Sequence, residues 1–122
     1  IQSEIQNAIR TVVKKRAESP SADYGKYSET PDTLFILSLV EYNRKSDAHG
    51  SWADEGTTYA YYEAGNAITK KKRGESSNSA YWTASSKHFV DSSYFYLLID
   101  TDGKILNDYM KNKKPIAIAF CL

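Results

Sequence analysis

Apolar residues near the start of the chain recur at helical spacing. They are three or four positions apart, and the basic run that follows them, residues 14–16, stands where cations favour a helix C-terminus. This pattern predicts an amphipathic helix over residues 2–16, with Pro20 behind it. Residues 17–33 contain Gly25 and Pro31 among polar residues and predict a surface connector. The stripe of the predicted helix consists of Ile1, Ile5, Ile9, Val12 and Val13.

A short buried strand is predicted at residues 34–37, where four apolar residues stand together. Ser38 and Glu41 have the spacing of a capping box, in which each side chain satisfies a free amide at the start of a helix. Residues 34–122 are expected to form the core, and the sequence predicts that a strand leads directly into a helix there.

Residues 43–58 predict a loop, and Trp52 is expected to anchor that loop in the core. A second helix is predicted at residues 58–64, with Tyr59 and Tyr62 on its buried side. Gly65 and Asn66 provide a C-terminal stop for this helix.

The second half of the chain alternates with a period of two, which is typical of strands. A hairpin turn is predicted at Asp100–Gly103, because a glycine at positive φ favours such a turn. Helices that precede an antiparallel meander indicate an α+β fold, with two or three helices packed on a twisted, mainly antiparallel sheet. The predicted strands are residues 80–85, 94–99, 104–108 and 115–121.

Length and charge narrow the class of protein. The 122 residues are enough for a single domain with its own core. Sixteen basic and fifteen acidic residues give a net charge of +1, which argues against a dedicated nucleic-acid binder. No apolar run is long enough to span a membrane. Since the chain begins at Ile1 without methionine, we expect it to be the C-terminal part of a longer protein.

Four segments in a fixed order carry a resemblance to a known family. The segments are Leu34–Ser38 with Glu41, Asp54–Asn66 with its Tyr-Ala-Tyr-Tyr core, Tyr81–Ser85, and Ile116–Leu122. They resemble the L-F-L-L-S, Y-A-Y-Y, W-W-L-R-S-P and G-V-R-P-A-F segments of a domain family of gut bacteria and their phages. That family is found at the C-terminal end of surface or tail-associated proteins. Ala84 stands where the family has arginine, and the last segment lacks its Arg-Pro pair.

The order of these elements is also similar to the C-type-lectin-like fold. That fold includes formylglycine-generating enzymes and the variable proteins of diversity-generating retroelements. The resemblance implies a virion-tail or bacterial-surface location and an extracellular ligand. It also raises the alternative that residues 85–112 are diversified, since many of them are types that an altered Asn codon yields. The catalytic cysteines of the formylglycine-generating enzymes are absent, so no enzymatic activity is expected.

Three features of the sequence could have a chemical role, but each also has a simpler structural interpretation. Ser85, His88 and Asp91 are residue types of a catalytic triad, but they are too close in sequence to converge easily. Asp100 and Asp102 before Gly103 are similar to the start of a calcium loop, yet a plain turn is favoured and no metal or cofactor is predicted. Cys121, the single cysteine, is expected to be a small core residue.

The basic runs Lys70–Arg73 and Lys111–Lys114 form an anion-binding patch only if the fold brings them to one face. Solvated loops are the simpler interpretation. No nucleic-acid partner is predicted.

Tyrosine and serine together favour a recognition surface, because tyrosine offers rigid contact area and serine offers adaptable hydrogen bonds. We therefore expect a non-enzymatic domain that binds a host-surface protein or glycan through loops and a strand face between residues 85 and 112. The alternative is a structural domain that forms homo-oligomers through the Ile1, Ile5 and Ile9 stripe. The predicted ligand-binding residues are Ser85, Ser86, His88, Phe89, Asp91, Ser92, Tyr94, Tyr96, Asn107, Tyr109 and Asn112.

Overall fold

The computed structural model of the chain describes residues 3–17, 27–86 and 95–122. Short helices and mainly antiparallel strands occupy these residues, so the α+β class is confirmed. In chain order the elements are α1 Ser3–Ala8, β1 Val12–Ala17, β2 Tyr27–Asp32, β3 Phe35–Ile36, β4 Ser46–Asp47, β5 Gly50–Ser51, α2 Ala60–Glu63, β6 Tyr81–Ser86, β7 Phe95–Ile99, β8 Ile105–Tyr109 and β9 Ile118–Ala119.

The predicted helix over residues 2–16 is wrong beyond its first turns. Helix α1 ends at Ala8 and buries none of its residues, and residues 12–17 form strand β1 instead. Strand β1 pairs antiparallel with β2, so that part of the predicted connector is also a strand. Two adjacent valines favour a strand over a helix because of their branching at Cβ. Pro31 is tolerated opposite Val13 because this sheet has two strands and therefore two edges.

The predicted meander in the second half of the chain is confirmed. Strands β6, β7 and β8 form one antiparallel sheet in that order. The turn between β7 and β8 is closed by a 3.0 Å hydrogen bond from the Gly103 amide to the Asp100 carbonyl. Gly103 has φ of +86°, which explains the glycine at this position.

The C-terminal segment joins parts of the fold that are distant in sequence. Its regular strand, β9, has two residues paired with β3, and is shorter than the predicted strand 115–121. The Trp82 amide donates to the Pro115 carbonyl at 3.0 Å, and the Arg10 amide donates to the Cys121 carbonyl at 2.8 Å. The segment therefore connects the beginning of the chain with the meander.

Small and large residues alternate along this segment. Ala117, Ala119 and Cys121 pack against the core. The intervening large side chains are exposed, by 56% at Ile116 and 66% at Leu122. The segment thus turns its larger apolar side chains outward, including Ile118 and Phe120.

The core gathers around Trp52, which is fully buried, as the sequence predicts. The indole Nε1 of Trp52 donates a 2.9 Å hydrogen bond to the carbonyl of Ser86 and so fixes the loop to the end of β6. The other members of the core cluster are Phe35, Leu37, Leu39, Tyr42, Ile68, Tyr81, Leu97 and Ile99.

Both predictions of a helix in the middle of the chain are only partly correct. Ser38 and Glu41 make the predicted contact, since the Ser38 amide donates to Glu41 Oε1 at 3.0 Å, but the residues that follow form hydrogen-bonded turns and no α-helix. Helix α2 is a single turn in which Tyr62 is half-buried. The Gly65 amide, at φ of +91°, donates to the Tyr62 carbonyl and confirms the predicted stop.

Candidate functional site

An apolar cavity lies on the side of β6 that faces away from the core. Tyr81, Thr83 and Ser85 are buried in alternation along β6, whereas Trp82 and Ala84 are half-buried. The cavity has a volume of about 240 Å³. Its lining is dominated by apolar and aromatic side chains, a composition typical of ligand sites. The lining residues are Ile36, Trp82, Thr83, Ala84, Tyr96, Met110 and Ile116.

A second cavity adjoins the first and adds charge. It has a volume of about 300 Å³ and shares Ile36, Ala84 and Tyr96 with the first cavity. We call the two together the Tyr96 groove. The second cavity is also lined by Arg16 and Asp32, and by Leu34 and Phe35. The groove therefore has an apolar end near Met110 and a charged end near Asp32.

The two charged residues at that end differ in their freedom to bind a ligand. Arg16 donates to Glu41 Oε1 at 3.0 Å, to the Ile36 carbonyl at 2.9 Å and to the Glu55 carbonyl at 3.2 Å. Asp32 accepts a hydrogen bond from the Thr30 hydroxyl, but forms no ion pair among the described residues. The charge left over at this end is therefore the negative charge of Asp32.

A buried ion network holds Arg16 in place. Lys14 Nζ lies 2.6 Å from Glu41 Oε2 and 2.6 Å from the hydroxyl of Tyr59, and it lies over the ring of Phe35. Burial alone raises the pKa of Glu41, but the hydrogen bonds from Lys14 and Ser38 and the charges of Arg16 and Lys14 outweigh it. The pKa of Glu41 is therefore lowered. Glu41 is ionised and binds two cations at once.

Glu55 lies next to this network in the opposite protonation state. Its side chain is fully buried, and neither carboxyl oxygen has a well-formed hydrogen bond among the described residues. Burial raises the pKa of Glu55 to about 8, although the Ser85 hydroxyl and the Arg16 charge oppose the rise. The pKa of Tyr96 is also raised, mainly because the side chain is partly buried and to a smaller extent because of the Glu55 carboxyl.

The structure places the predicted ligand-binding residues in three different settings. Ser85 and Ser86 are buried, and the Ser85 hydroxyl accepts a 2.9 Å hydrogen bond from the Leu39 amide. These two serines are therefore not contact residues, which corrects the prediction. The register shift in β6 between Trp82 and Ser86 accounts for two successive buried positions. Outside the described residues lie His88, Phe89, Asp91, Ser92 and Tyr94.

The remaining predicted residues lie on both faces of the meander. Tyr96 lines the groove. Asn107 and Tyr109 pair with Leu97 and Phe95, so they lie on the opposite face of the sheet from Tyr96. Asn112 is exposed beyond β8, where its amide donates to Asp108 at 2.8 Å. The predicted continuous surface over residues 85–112 is thus divided by the sheet.

Sequence reasoning missed most of the groove. Trp82 is absent from the predicted contact residues, although its position between Tyr81 and Thr83 in an alternating strand puts it on the outer face. Ile36, Met110 and Ile116 come from three separate segments, and no local pattern indicates that they meet. The alternation of large and small residues after Pro115 was the available signal for Ile116.

Two kinds of feature are absent from the described residues. These residues contain no group of three or more His, Cys, Asp or Glu side chains that could hold a metal ion. Within the same residues, no helix has the length and apolar character needed to cross a membrane.

Comparison with known proteins gives one match. A family described as "Domain of unknown function (DUF6273)" matches residues 1–122, the full length of the chain. No curated protein and no solved structure matches the chain significantly.

Proposed function

The chain belongs to the DUF6273 family, and we propose that it is a non-enzymatic recognition domain that binds a protein segment in the Tyr96 groove. The observation that carries the proposal is the combination of an apolar floor with the Asp32 carboxylate at its end, which has no ion-pair partner among the described residues. Trp82, Tyr96 and Met110 offer contact area that favours apolar side chains. Asp32 favours a basic side chain next to them.

The lining favours a protein segment over a glycan. Sugar hydroxyl groups need many hydrogen-bond partners, because a buried polar group without a partner costs free energy. At the Met110 end of the groove the lining side chains with polar atoms are Trp82, Thr83 and Tyr96, and the Thr83 hydroxyl already donates to the Leu97 carbonyl at 2.8 Å. An extended segment with apolar residues followed by lysine or arginine fits both ends.

The C-type-lectin-like fold and the virion-tail or bacterial-surface location remain part of this proposal. The pairing of Arg10 with Cys121, which brings the first and last parts of the chain together, supports the fold. The resemblance of the four sequence segments supports the location. Diversification by a retroelement predicts a nearby reverse-transcriptase gene and a near-identical template repeat. Since Ser85 and Ser86 are buried, variation at these two positions alters the core and not a contact surface.

The test is a selection from a random peptide display library against the folded domain. We expect enriched peptides that combine apolar residues with a basic residue. Met110→Asp and Asp32→Lys each reduce binding at least about tenfold, because they introduce charge into the apolar end or reverse the charge at the other end. Both side chains are at least partly accessible, so the melting temperature changes little.

The matched control is Tyr61→Asp, which alters a residue of α2 that is 62% exposed. It leaves binding unchanged if the groove is the site. Equal loss of binding in Tyr61→Asp, or a glycan array that captures the domain when no peptide does, contradicts the proposal.

A second candidate function, assembly into homo-oligomers, is favoured by the exposed stripe Ile116, Ile118, Phe120 and Leu122. A row of exposed apolar side chains on one strand is typical of an interface. The first helix is a weaker basis for it, since Ile9 is half-buried and Ile1 lies outside the described residues. Sedimentation of the wild-type domain and of Ile118→Asp decides between the C-terminal stripe and the first helix as the interface, because only an oligomer that uses the stripe dissociates in the variant.

A further inference from the structure

The first basic run of the chain lines a cavity, and the second basic run ends next to it. A cavity of about 140 Å³ is lined by Lys70, Lys71 and Lys72 on one side and by Pro115, Ile116 and Ala117 on the other. Lys113 and Lys114 immediately precede Pro115 in the chain. The second run therefore ends beside the cavity that the first run lines, while the side chains of residues 71–73 and 111–114 are exposed to solvent.

Backbone pairing fixes this arrangement. The Ser79 amide donates to the Lys70 carbonyl at 2.8 Å, which holds the first run beside the start of β6. The Trp82 amide donates to the Pro115 carbonyl, which holds the end of the second run against the same strand. The cavity is also lined by Ser79, which forms the first of these bonds, and by Tyr81, which lies between the two.

One lysine of the cavity is held rigidly. Lys70 is half-buried, and its Nζ donates to the Tyr62 hydroxyl at 3.0 Å. The same ammonium lies between 5.5 and 5.8 Å from the ring centres of Tyr42, Tyr62 and Tyr81. Cation–π contacts of this kind stabilise a charge without neutralising it. Lys70 therefore presents a preorganised positive charge to the cavity.

The charges around the cavity are poorly balanced. Lys71, Lys72, Arg73 and Lys113 form no ion pair with any described residue. Among the acids, Glu75 is exposed and the Asp108 carboxylate is 3.8 Å from Lys114. The turn that contains Asp100 and Asp102 also approaches Thr69 beside the first run, and Asp102 pairs with Lys104. Seven of the sixteen basic residues stand in the two runs, so the net charge of +1 hides a strong segregation of charge.

We propose that this cavity is a binding site for a tetrahedral oxyanion, a sulfate or phosphate group carried by an acidic polysaccharide. The cavity has room for about five water molecules, judged by their share of the liquid volume, and so accommodates one such group. Lys71, Lys72, Arg73 and Lys113 contact further anionic groups along the chain of the ligand. Tyr81 is buried, so it offers no free ring face for the base stacking that single-stranded nucleic acid uses.

This site is independent of the proposed protein ligand, although Ile116 lines both cavities. A polysaccharide bound by the basic runs attaches the domain to an acidic surface, while the Tyr96 groove selects a protein on it. Failure of one proposal leaves the other intact, because the variants that test them do not overlap.

The experiment measures binding of the full chain to heparin as the sulfated probe and to a phosphomannan as the phosphorylated one. The variant is Lys71→Gln, Lys72→Gln and Arg73→Gln together, since all three side chains are exposed and their loss spares the core. Lys70 is left in place because of its packing among the tyrosines. The control variant removes the same charge at exposed positions that do not line the cavity, through Arg10→Gln, Lys15→Gln and Lys45→Gln.

We expect the triple variant to lose at least about tenfold in affinity for at least one probe, and the control variant to lose little. The wild-type affinity falls as salt is raised, because bound counterions are released, and the slope is smaller in the triple variant. If inorganic sulfate or phosphate binds with the same affinity as the polymers, the site binds a free ion, and the proposal of a polysaccharide ligand is wrong. Equal losses in both variants overturn the site itself, and tighter binding of duplex DNA overturns the polysaccharide assignment.

Discussion

Lys14 Nζ lies 2.6 Å from Glu41 Oε2, and at least nine-tenths of each side chain is withdrawn from solvent. The two residues come from β1 and from the turn after β3, so the pair connects the first hairpin with the core. Two opposite charges taken out of water stabilise a fold only when both remain satisfied. Here Tyr59, Ser38 and Arg16 complete their hydrogen bonds.

Lys14→Met is expected to lower the free energy of unfolding by roughly 3–5 kcal/mol, because it leaves the Glu41 charge buried without its closest partner. Urea unfolding measures this difference. Lys15→Met is the matched control: its side chain points outward on the same strand, and it should change stability by less than about 0.5 kcal/mol. Similar effects of the two variants contradict the role of the pair.

Glu41 also predicts an acid limb in the stability of the domain. Its pKa is lowered in the folded state, so its contribution is complete above the ordinary carboxyl pKa and is lost as the pH falls through the folded value. Glu41→Gln removes this part of the pH dependence and also destabilises the domain at neutral pH. Thermal unfolding between neutral and acidic pH tests it, and an unchanged acid limb in the variant contradicts it.

Glu55 predicts the opposite dependence. Its folded pKa is raised from 4.5 to about 8, so the folded state holds a proton that the unfolded state releases, and stability falls as the pH rises through that window. Glu55→Gln imitates the protonated form, and flattens the stability profile in this range by an amount on the order of 1 kcal/mol per pH unit. Unfolding free energies at several pH values measure it.

The control for Glu55→Gln is Glu29→Gln, an exposed position on β2. The control keeps the wild-type slope. If the stability of the wild-type domain does not fall between pH 4.5 and about 8, the ionised Glu55 carboxylate has a compensating partner and the prediction is wrong.

Gly56→Ala is expected to destabilise the fold by roughly 1–3 kcal/mol. Gly56 has φ of +139°, and an added Cβ meets Glu41 Cγ at 3.4 Å. Gly74→Ala is the control, since Gly74 also has positive φ, at +84°, but an added Cβ meets nothing within 4 Å. A larger loss in Gly74→Ala than in Gly56→Ala contradicts the importance of close packing against Glu41.

Trp52→Phe is expected to cost roughly 2–4 kcal/mol, because it leaves the Ser86 carbonyl without its indole donor and opens a cavity in the core. Trp82→Phe, in the half-buried groove, should cost much less. Urea unfolding of both variants measures the difference. Equal costs contradict the assignment of Trp52 as the central core residue.

Local patterns account for the parts of the fold that were predicted well. The meander, the turn at Gly103, the stop at Gly65 and the burial of Trp52 depend on neighbours in the chain or on the size of one side chain. The contact between Ser38 and Glu41 is local too, yet the helix predicted after it is absent. A capping box satisfies free amides at the start of a helix. Here the same contact closes a turn, and the residues that follow are buried in the core.

Errors arose where a distant segment decided the outcome. Residues 12–17 have the spacing of a helix, but β2 offers a complete set of backbone partners, and Lys14 finds Glu41 on the inner side. Ser85 lies in a serine-rich stretch whose composition favours a surface, whereas its hydroxyl accepts a hydrogen bond from the buried Leu39 amide. Of the predicted contact residues that the structure describes, Tyr96 lines the groove, whereas Asn107 and Tyr109 lie on the other face, since a continuous stretch of sequence alternates between the two faces of a sheet.

The sequence by itself determined the α+β class, the order of the strands in the meander and the residues that make turns, because these depend on spacing and on backbone preferences within a few positions. The tertiary structure alone decided that Trp82, Met110 and Ile116 share a groove and that Lys14 is paired in the interior. It also decided that the first basic run lines a cavity with Pro115, the residue that follows the second run. Those relationships join residues far apart in the chain, and their free energy exists only after the intervening segments have folded around a common core.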